Sequence, residues 1–318
     1  MPRQKAVNLF PFTDSNKRYH TYTYYLSHKF GGKVSRISLN GGFTCPNLDG
    51  TKGRGGCIYC SPGGSGEFGG NPDKGIREQF DEVAGKMAQK WETARHIAYF
   101  QAHSNTYAPV TRLRTLYEQA LDCPGVVGLA IATRPDCLPD DVCALLGELA
   151  ARTELLVELG LQSVHDKTGR RINRCHTWED FLEGYQKLRA YGVPVGVHII
   201  DGLPGEDERM MVETACELAK LDLQLVKIHL LHVLEGTPLA ESWRRGEVEL
   251  LNREAYVKIV CDQLERLPAR FVIGRLTGDG APDTLLGPLW SRKKLCVLNE
   301  IDKELVRRDS WQGKYCEG

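Results

Sequence analysis

The chain has no net charge: 41 lysines and arginines balance 41 aspartates and glutamates. No global field therefore draws it toward nucleic acid or a membrane. It also lacks long apolar runs. Nothing approaches the roughly 18 consecutive apolar residues of a membrane span. The start, MPRQKAVNLFPF, has no core of about 7–15 apolar residues such as a secretory signal carries. Linkers, low-complexity tracts and internal repeats are missing too, so the sequence reads as one domain. These absences predict a cytoplasmic protein with no membrane partner. In that reducing compartment, eleven cysteines argue against a disulfide framework and for metal binding, catalysis or burial.

The neutral total hides an asymmetry. Residues 1–40 hold Arg3, Lys5, Lys17, Arg18, Lys29, Lys33 and Arg36 against Asp14 alone, a local balance of +6. This basic N-terminal segment, 1–32 and its edge, reads either as a solvated arm or as a surface for a polyanion. Tyr19, Tyr22, Tyr24 and Tyr25 are interleaved with it. They offer stacking faces to single-stranded RNA, or they anchor the arm to the body.

Short apolar runs alternate with longer amphipathic ones. Residues 33–39, 96–101, 126–133, 155–162, 193–200 and 223–231 read as six strands, rich enough in Val, Ile and Leu to be buried on both faces. Helical patterns occupy 74–90, 109–121, 139–151, 178–191, 207–221 and 252–267, and Thr177 with Asp180 forms a variant of the capping box. Such alternation predicts right-handed crossovers and an α/β barrel or doubly wound sheet. The barrel region spans 33–287, and 288–318 is expected to supply a C-terminal helix packed outside it. Gln101, Thr133, Gln162 and Asp201 fall at or just past strand ends, where a parallel barrel carries its chemistry.

The segment FTCPNLDGTKGRGGCIYC, 43–60, places Cys45, Cys57 and Cys60 on the loop after the first strand. Three thiolates suit zinc or an iron–sulfur cluster. A structural zinc site needs a fourth ligand, and 46–56 holds no Cys or His, although His103 or His176 could be recruited from afar. A cubane held by three cysteines leaves one iron open to a cofactor or substrate. Glycines at 50, 53, 55, 56, 63, 64, 66, 69 and 70 let such a loop wrap closely. Cys123, Cys137, Cys143, Cys216, Cys261, Cys296 and Cys316 lack ligand spacing and read as core or surface thiols.

CPNLDGTKGRGGCIYC resembles the cluster motif of radical S-adenosylmethionine (SAM) enzymes, in the long-insert form of the YtqA/YhcC-type family. The standard motif has three residues between its first two cysteines; here there are eleven. The likeness continues through YFQAHSNTYAP, IATRPDCLPDD, VELGLQSVHDKTGRRINRCH, HIIDGLPGE, KIHLLHVLEGTPL and CDQLERLP. It is similar, too, to the elongator catalytic subunit and the oxygen-independent coproporphyrinogen oxidases. The resemblance implies a partial (β/α)6 TIM-like barrel with a C-terminal helical extension. It further implies a 4Fe-4S cluster on Cys45, Cys57 and Cys60, SAM as the second cofactor, and a reducing donor such as flavodoxin or ferredoxin.

Carried over by position, Tyr59 lies where the family approaches adenine, and Gln162 and Arg174 are where it holds SAM. Arg presents a fork that matches a carboxylate. Glu158, in a buried strand, is expected either near SAM or substrate or in an ion pair with Arg174. The Gly-Gly-Glu segment that binds the SAM ammonium in many members is replaced here by YFQAHSN. Gln101, Ser104 or Asn105 would have to serve, and Thr133 and Arg134 would face the rim nearby. Lys227 and His229 share a face of strand six and are candidate substrate contacts, or a core histidine with a snorkelling lysine. The family link implies tRNA, with modification of the wobble-uridine aminomethyl side chain. Readings from other classes are a radical reaction on a small metabolite, a non-catalytic iron–sulfur sensor or RNA-binding protein, and a zinc-stabilised barrel.

Overall fold

In the computed structural model the described residues are 10, 12–64, 66, 69–89, 93–278, 280 and 283–316. Arg3 and Lys5 of the basic segment lie outside them. The chain opens with helix α1 (Tyr22–Phe30) and strand β1 (Val34–Leu39). Helix–strand alternation follows: α2 (Ile76–Ala88), β2 (Arg95–Phe100), α3 (Val110–Leu121), β3 (Val126–Thr133), α4 (Asp140–Ala150) and β4 (Glu154–Gln162). Beyond these come the short α5 (Asp166–Arg171), α6 (Trp178–Ala190), β5 (Val195–Asp201), α7 (Glu208–Ala219) and β6 (Leu225–Leu230). The remainder comprises β7 (Val233–Leu234), α8 (Pro238–Arg244), α9 (Arg253–Leu264), β8 (Val272–Arg275), β9 (Leu285–Gly287) and α10 (Lys294–Arg307).

Seven parallel strands make one curled sheet in the order β1-β2-β3-β4-β5-β6-β8. This is the expected partial barrel with one strand more than the six read from sequence. β8 is four residues long and contains glycine and arginine, VIGR, too short and polar to register as a buried strand. The two-residue β7 pairs with β9 and was equally invisible. Thr177 and Asp180 close the expected capping box at the start of α6.

Period-two alternation sorts the strand residues. Leu129, Ile131, Val157, Leu159, Val197, Ile199, Val226 and Ile228 pack outward beneath the helices. The alternate residues face the concave side. Near the strand starts that side is filled by α1. Tyr22 and Tyr25 meet Leu156, Leu225 and Val272 there, and Leu26 is buried against Ile97, Tyr99 and Ala130. Burying one such side chain contributes roughly 1.5–3 kcal/mol. Thr21 caps α1 by accepting from the Tyr24 amide at 3.1 Å, and Gly31, at φ 68°, ends it.

The basic segment is therefore a plug in the N-terminal mouth of the barrel, opposite the rim. Its cations are paired internally: Lys17 with Asp302, Arg18 with Asp309 at 3.2 Å, and Lys29 with Glu154. Arg18 also donates to the Ser310 carbonyl at 3.1 Å. Tyr19 is buried. Among the described residues, Lys17, Arg18 and Lys29 thus answer acids of β4 and of the C-terminal region, and Tyr19, Tyr22 and Tyr25 pack against the barrel, which favours the anchoring reading of the segment over the polyanion one.

Candidate functional site

A cavity of about 700 Å³ opens at the C-terminal ends of the strands and descends the concave face. Cys45, Tyr59, Gln101, Thr133, Arg174 and Gln162 line it, as do Cys57 and Cys60. Glu158, Lys227 and His229 lie on the same wall. These eleven residues, each a site candidate from the sequence, thus converge on one space. Asp201, also at a strand end, does not. Its side chain faces outward and accepts from Gln263 Nε2 at 2.7 Å. The turn that follows it, 202–206, does not line the cavity either.

The cysteine loop is tied down from three sides. Leu48 N donates to Cys45 O at 2.8 Å, Ile58 N to Ile172 O at 3.0 Å, and Leu239 N to Ile58 O at 2.9 Å. Two asparagines that motif reading passed over clamp it. Asn47 Nδ2 reaches Asn173 O at 2.5 Å and Cys57 Sγ at 3.7 Å. Asn173 Nδ2 donates to Gly56 O at 2.7 Å and Arg54 O at 3.1 Å. Gly53 must lack a side chain, since a Cβ there would sit 2.2 Å from Asn47 Oδ1 and 2.7 Å from Cys175 Sγ. Cys175, to which spacing assigned nothing, flanks this clamp, 3.4 Å from Asn173 Oδ1.

None of the three thiols is in a disulfide, and Cys57 is pushed up by burial, with Cys45 beside it adding to the shift. Among the described residues no three His, Cys, Asp or Glu side chains converge tightly enough to hold a metal ion. What the loop presents is a set of three soft sulfur donors on the wall of a large cavity. That donor set fits an iron–sulfur cluster.

Backbone strain concentrates in the same place. His103, Gln162, Asn173 and Cys175 have left-handed φ of 59°, 68°, 54° and 59°. Each non-glycine residue held so costs on the order of 1–3 kcal/mol, and such residues cluster at functional sites. Gln162 ends β4 at a register shift, and Gly160 leaves room for it, because a Cβ there would lie 2.7 Å from its Nε2. Thr133 hydrogen-bonds Thr106 at 2.6 Å. Ser104 lines the cavity, whereas Asn105 is buried and donates to Ala132 O at 2.7 Å.

Arg174 differs most from its expected setting. It is 0% exposed. Its Nη1 donates to Leu161 O and Ser163 O, each at 2.6 Å, and its Nε to His176 O at 2.9 Å. Asp166 takes Nη2 at 3.3 Å. The fork is engaged with the backbone that turns from β4 into α6. Arg134 sits next to it, bidentate to Asp136 and donating to Arg174 O at 2.8 Å.

Below lies a buried polar network. Glu158 Oε2 accepts from Tyr99 OH at 2.8 Å, His198 Nε2 at 2.7 Å and Lys227 Nζ. Arg36 stands 3.6 Å from Oε1 and 4.9 Å over the Tyr99 ring. The expected Glu158–Arg174 pair is thus replaced by a Glu158–Lys227 pair, because Glu158 faces down the lumen while Arg174 packs behind the rim. Burial alone would raise the Glu158 carboxyl, but Lys227, His198 and Arg36 hold it well below the usual carboxylate range. Burial and the neighbouring Arg36 push the Lys227 amine down, and burial with Lys227 beside it lowers His198 to about 4. Lys227 does not snorkel; it is 2% exposed. Tyr99, His198 and Arg36 escaped the sequence reading. Their signal was alternation: each lies on the concave parity of its strand.

Residues 50–218 match the Radical SAM superfamily, and residues 223–307 its C-terminal domain. YtqA of Bacillus subtilis is 51% identical over 97% of this chain and 96% of its own. YhcC of Escherichia coli is 36% identical, covering 96% and 94%. A tRNA uridine(34) acetyltransferase of Methanocaldococcus jannaschii is 35% identical over 138 residues, 42% of this chain and 25% of its own. Among solved structures, the archaeal Elp3 of Methanocaldococcus infernus superposes with a TM-score of 0.69 at 19% identity, covering 88% of this chain and 64% of that one. Together with the three-thiol loop on a partial barrel, these matches place the chain in the radical SAM superfamily and its YtqA/YhcC family, whose chemistry uses a 4Fe-4S cluster, S-adenosylmethionine and an electron donor.

Proposed function

We propose that this radical SAM enzyme modifies tRNA at the wobble uridine, acting on its aminomethyl side chain. The carrying observation is the 138-residue likeness to a tRNA uridine(34) acetyltransferase. The cavity supports the reading: its volume of about 700 Å³ leaves room for a base substituent, and Glu158, His198 and Lys227 give it polar walls. A 4Fe-4S cluster and SAM bound here would supply the one-electron hydrogen-abstraction chemistry.

The chain's own residues provide holding and shielding. Cys45, Cys57 and Cys60 hold the cluster. Tyr59, Gln101, Thr133 and Gln162 line the part of the cavity that would hold SAM, and Arg174 shapes that pocket by bracing the β4 turn. Lys227 and His229 meet the substrate from below, with Glu158 orienting the Lys227 amine. A base must leave its stack to enter this cavity, as single-stranded RNA readers require.

A modified-nucleoside profile of tRNA from a deletion strain tests the substrate. The expected change is loss of one modified uridine and accumulation of its precursor. An unaltered profile, with purified protein still forming 5′-deoxyadenosine, would transfer the activity to a small metabolite. Replacing any one of the three cysteines by Ala should remove the visible absorbance of reconstituted protein, whereas Cys123→Ala should not.

A further inference from the structure

The surface cations of this protein are mostly answered by acids. Arg114 pairs with Glu148, Arg189 with Asp222, Arg244 with Glu235 and Arg308 with Asp262. Five exposed cations around the cysteine loop differ. Lys52, Arg54, Lys167, Arg170 and Arg171 are exposed, and among the described residues no ion pair joins any of them to an acid. The acids nearby are occupied instead by local bonds. Asp49 Oδ1 accepts from Thr51 N at 2.9 Å, Asp166 Oδ1 from Trp178 N at 2.8 Å, and Asp180 from the amide and hydroxyl of Thr177.

Lys52 and Arg54 stand on the cysteine loop and Lys167, Arg170 and Arg171 on α5, and the two segments are bonded to each other. The Asn173–Arg54 bond joins the tip of the cysteine loop to the end of α5, and the Ile58–Ile172 bond does so again one turn away. Arg170 and Arg171 directly precede Ile172. The patch sits close behind the cluster thiols: Arg54 O is bonded by Asn173, whose carbonyl is bonded by Asn47, whose amide contacts Cys57 Sγ. None of the five cations lines the cavity.

We propose that this patch docks a small acidic one-electron carrier protein, of the flavin or iron–sulfur class. The inference rests on Cys45, Cys57 and Cys60 holding the cluster. One electron leaves the reduced carrier and one is gained at the cluster; no atom is transferred. A nucleobase must be presented at the cavity mouth, but an electron needs only a short path to the thiolates, and that path is what the patch offers. Charges at an interface rim act mainly on association rate and salt dependence.

The test is a flavodoxin titration of reconstituted protein at low and moderate salt, for wild type and for a triple Lys52→Glu, Arg54→Glu, Arg170→Glu variant. The variant should bind flavodoxin at least about tenfold more weakly, with a flattened salt dependence. Its reduction by flavodoxin should slow, while iron content and reduction by dithionite stay at the wild-type level. Equal affinity and salt slope in the two proteins would overturn the proposal, as would a wild type that binds no flavodoxin at low salt. A variant that keeps flavodoxin but loses tRNA would make the patch an RNA surface instead. Retention of iron by all three of the Cys45→Ala, Cys57→Ala and Cys60→Ala variants would remove the reading on which the proposal rests and so overturn it.

Discussion

Two arginine- and glutamine-sized choices show how much a single residue's setting matters. Gln162 and Arg174 were paired by motif, yet the structure separates their consequences. Gln162→Ala removes a side chain on the cavity wall and should lower SAM affinity with little loss of fold. Arg174→Ala strips the partner from three buried carbonyls. Each such bond to a charged group is worth roughly 1.5–3 kcal/mol, so thermal unfolding should fall by many degrees and iron should be lost with it. An Arg174→Ala protein that melts like wild type would show the brace to be dispensable. Glu158→Gln makes a different point. It leaves Lys227 and Arg36 facing each other without their anion at the bottom of the cavity, where Glu158 and Lys227 are only 1% and 2% exposed. Breaking such a buried pair costs roughly 3–5 kcal/mol. Urea unfolding should show that loss, and Glu158→Gln with Lys227→Met should recover part of it.

At the scale of elements, β5 carries a carboxyl with an unusual environment. Asp201, at its end, packs against α9, and among the described residues Gln263 Nε2 is the one donor to its side chain; burial pushes it up to about 8. Between about pH 4 and 8 the folded chain keeps a proton there that the unfolded chain has released, so stability falls as pH rises across that window and levels off above it. Asp201→Asn removes this contribution. The variant's unfolding free energy relative to wild type should therefore rise from about pH 5 to about pH 8. Parallel pH curves for the two proteins would mean that Asp201 does not titrate as its burial demands. The strand end that looked catalytic by position is structural because the residue's parity points outward.

For the whole molecule, α1 decides what the basic segment does. Sited at the barrel base with Lys17, Arg18 and Lys29 in ion pairs, it lies opposite the cavity. Neutralising the three together should leave RNA affinity and its salt slope unchanged. Exposed or half-exposed pairs contribute about 0–1 kcal/mol each, so the melting temperature should drop only slightly. A weakened, flatter salt dependence of RNA binding would restore the arm to the substrate surface. Among the described residues no helix is long and apolar enough to cross a membrane, in keeping with the short apolar runs of the sequence.

Period and punctuation in the sequence were sufficient for the parallel strands β1 to β6, their helices, and the rim placement of Cys45, Cys57, Cys60, Gln101, Thr133 and Gln162. Those features depend on local pattern: buried strands need continuous apolar residues, and a barrel's chemistry gathers at strand ends. The tertiary structure alone decided the partners. Whether Glu158 would meet Arg174 or Lys227 depended on which side of the sheet each reached, and strands 69 residues apart brought Glu158 and Lys227 together. The same holds for the Asn47–Asn173 clamp, across 126 residues, and for the cations of the N-terminal segment, whose acids lie on β4 and at the far C-terminus. Ion pairs and clamps of this kind arise from chain closure, and composition carries no record of which charges closure will bring into contact.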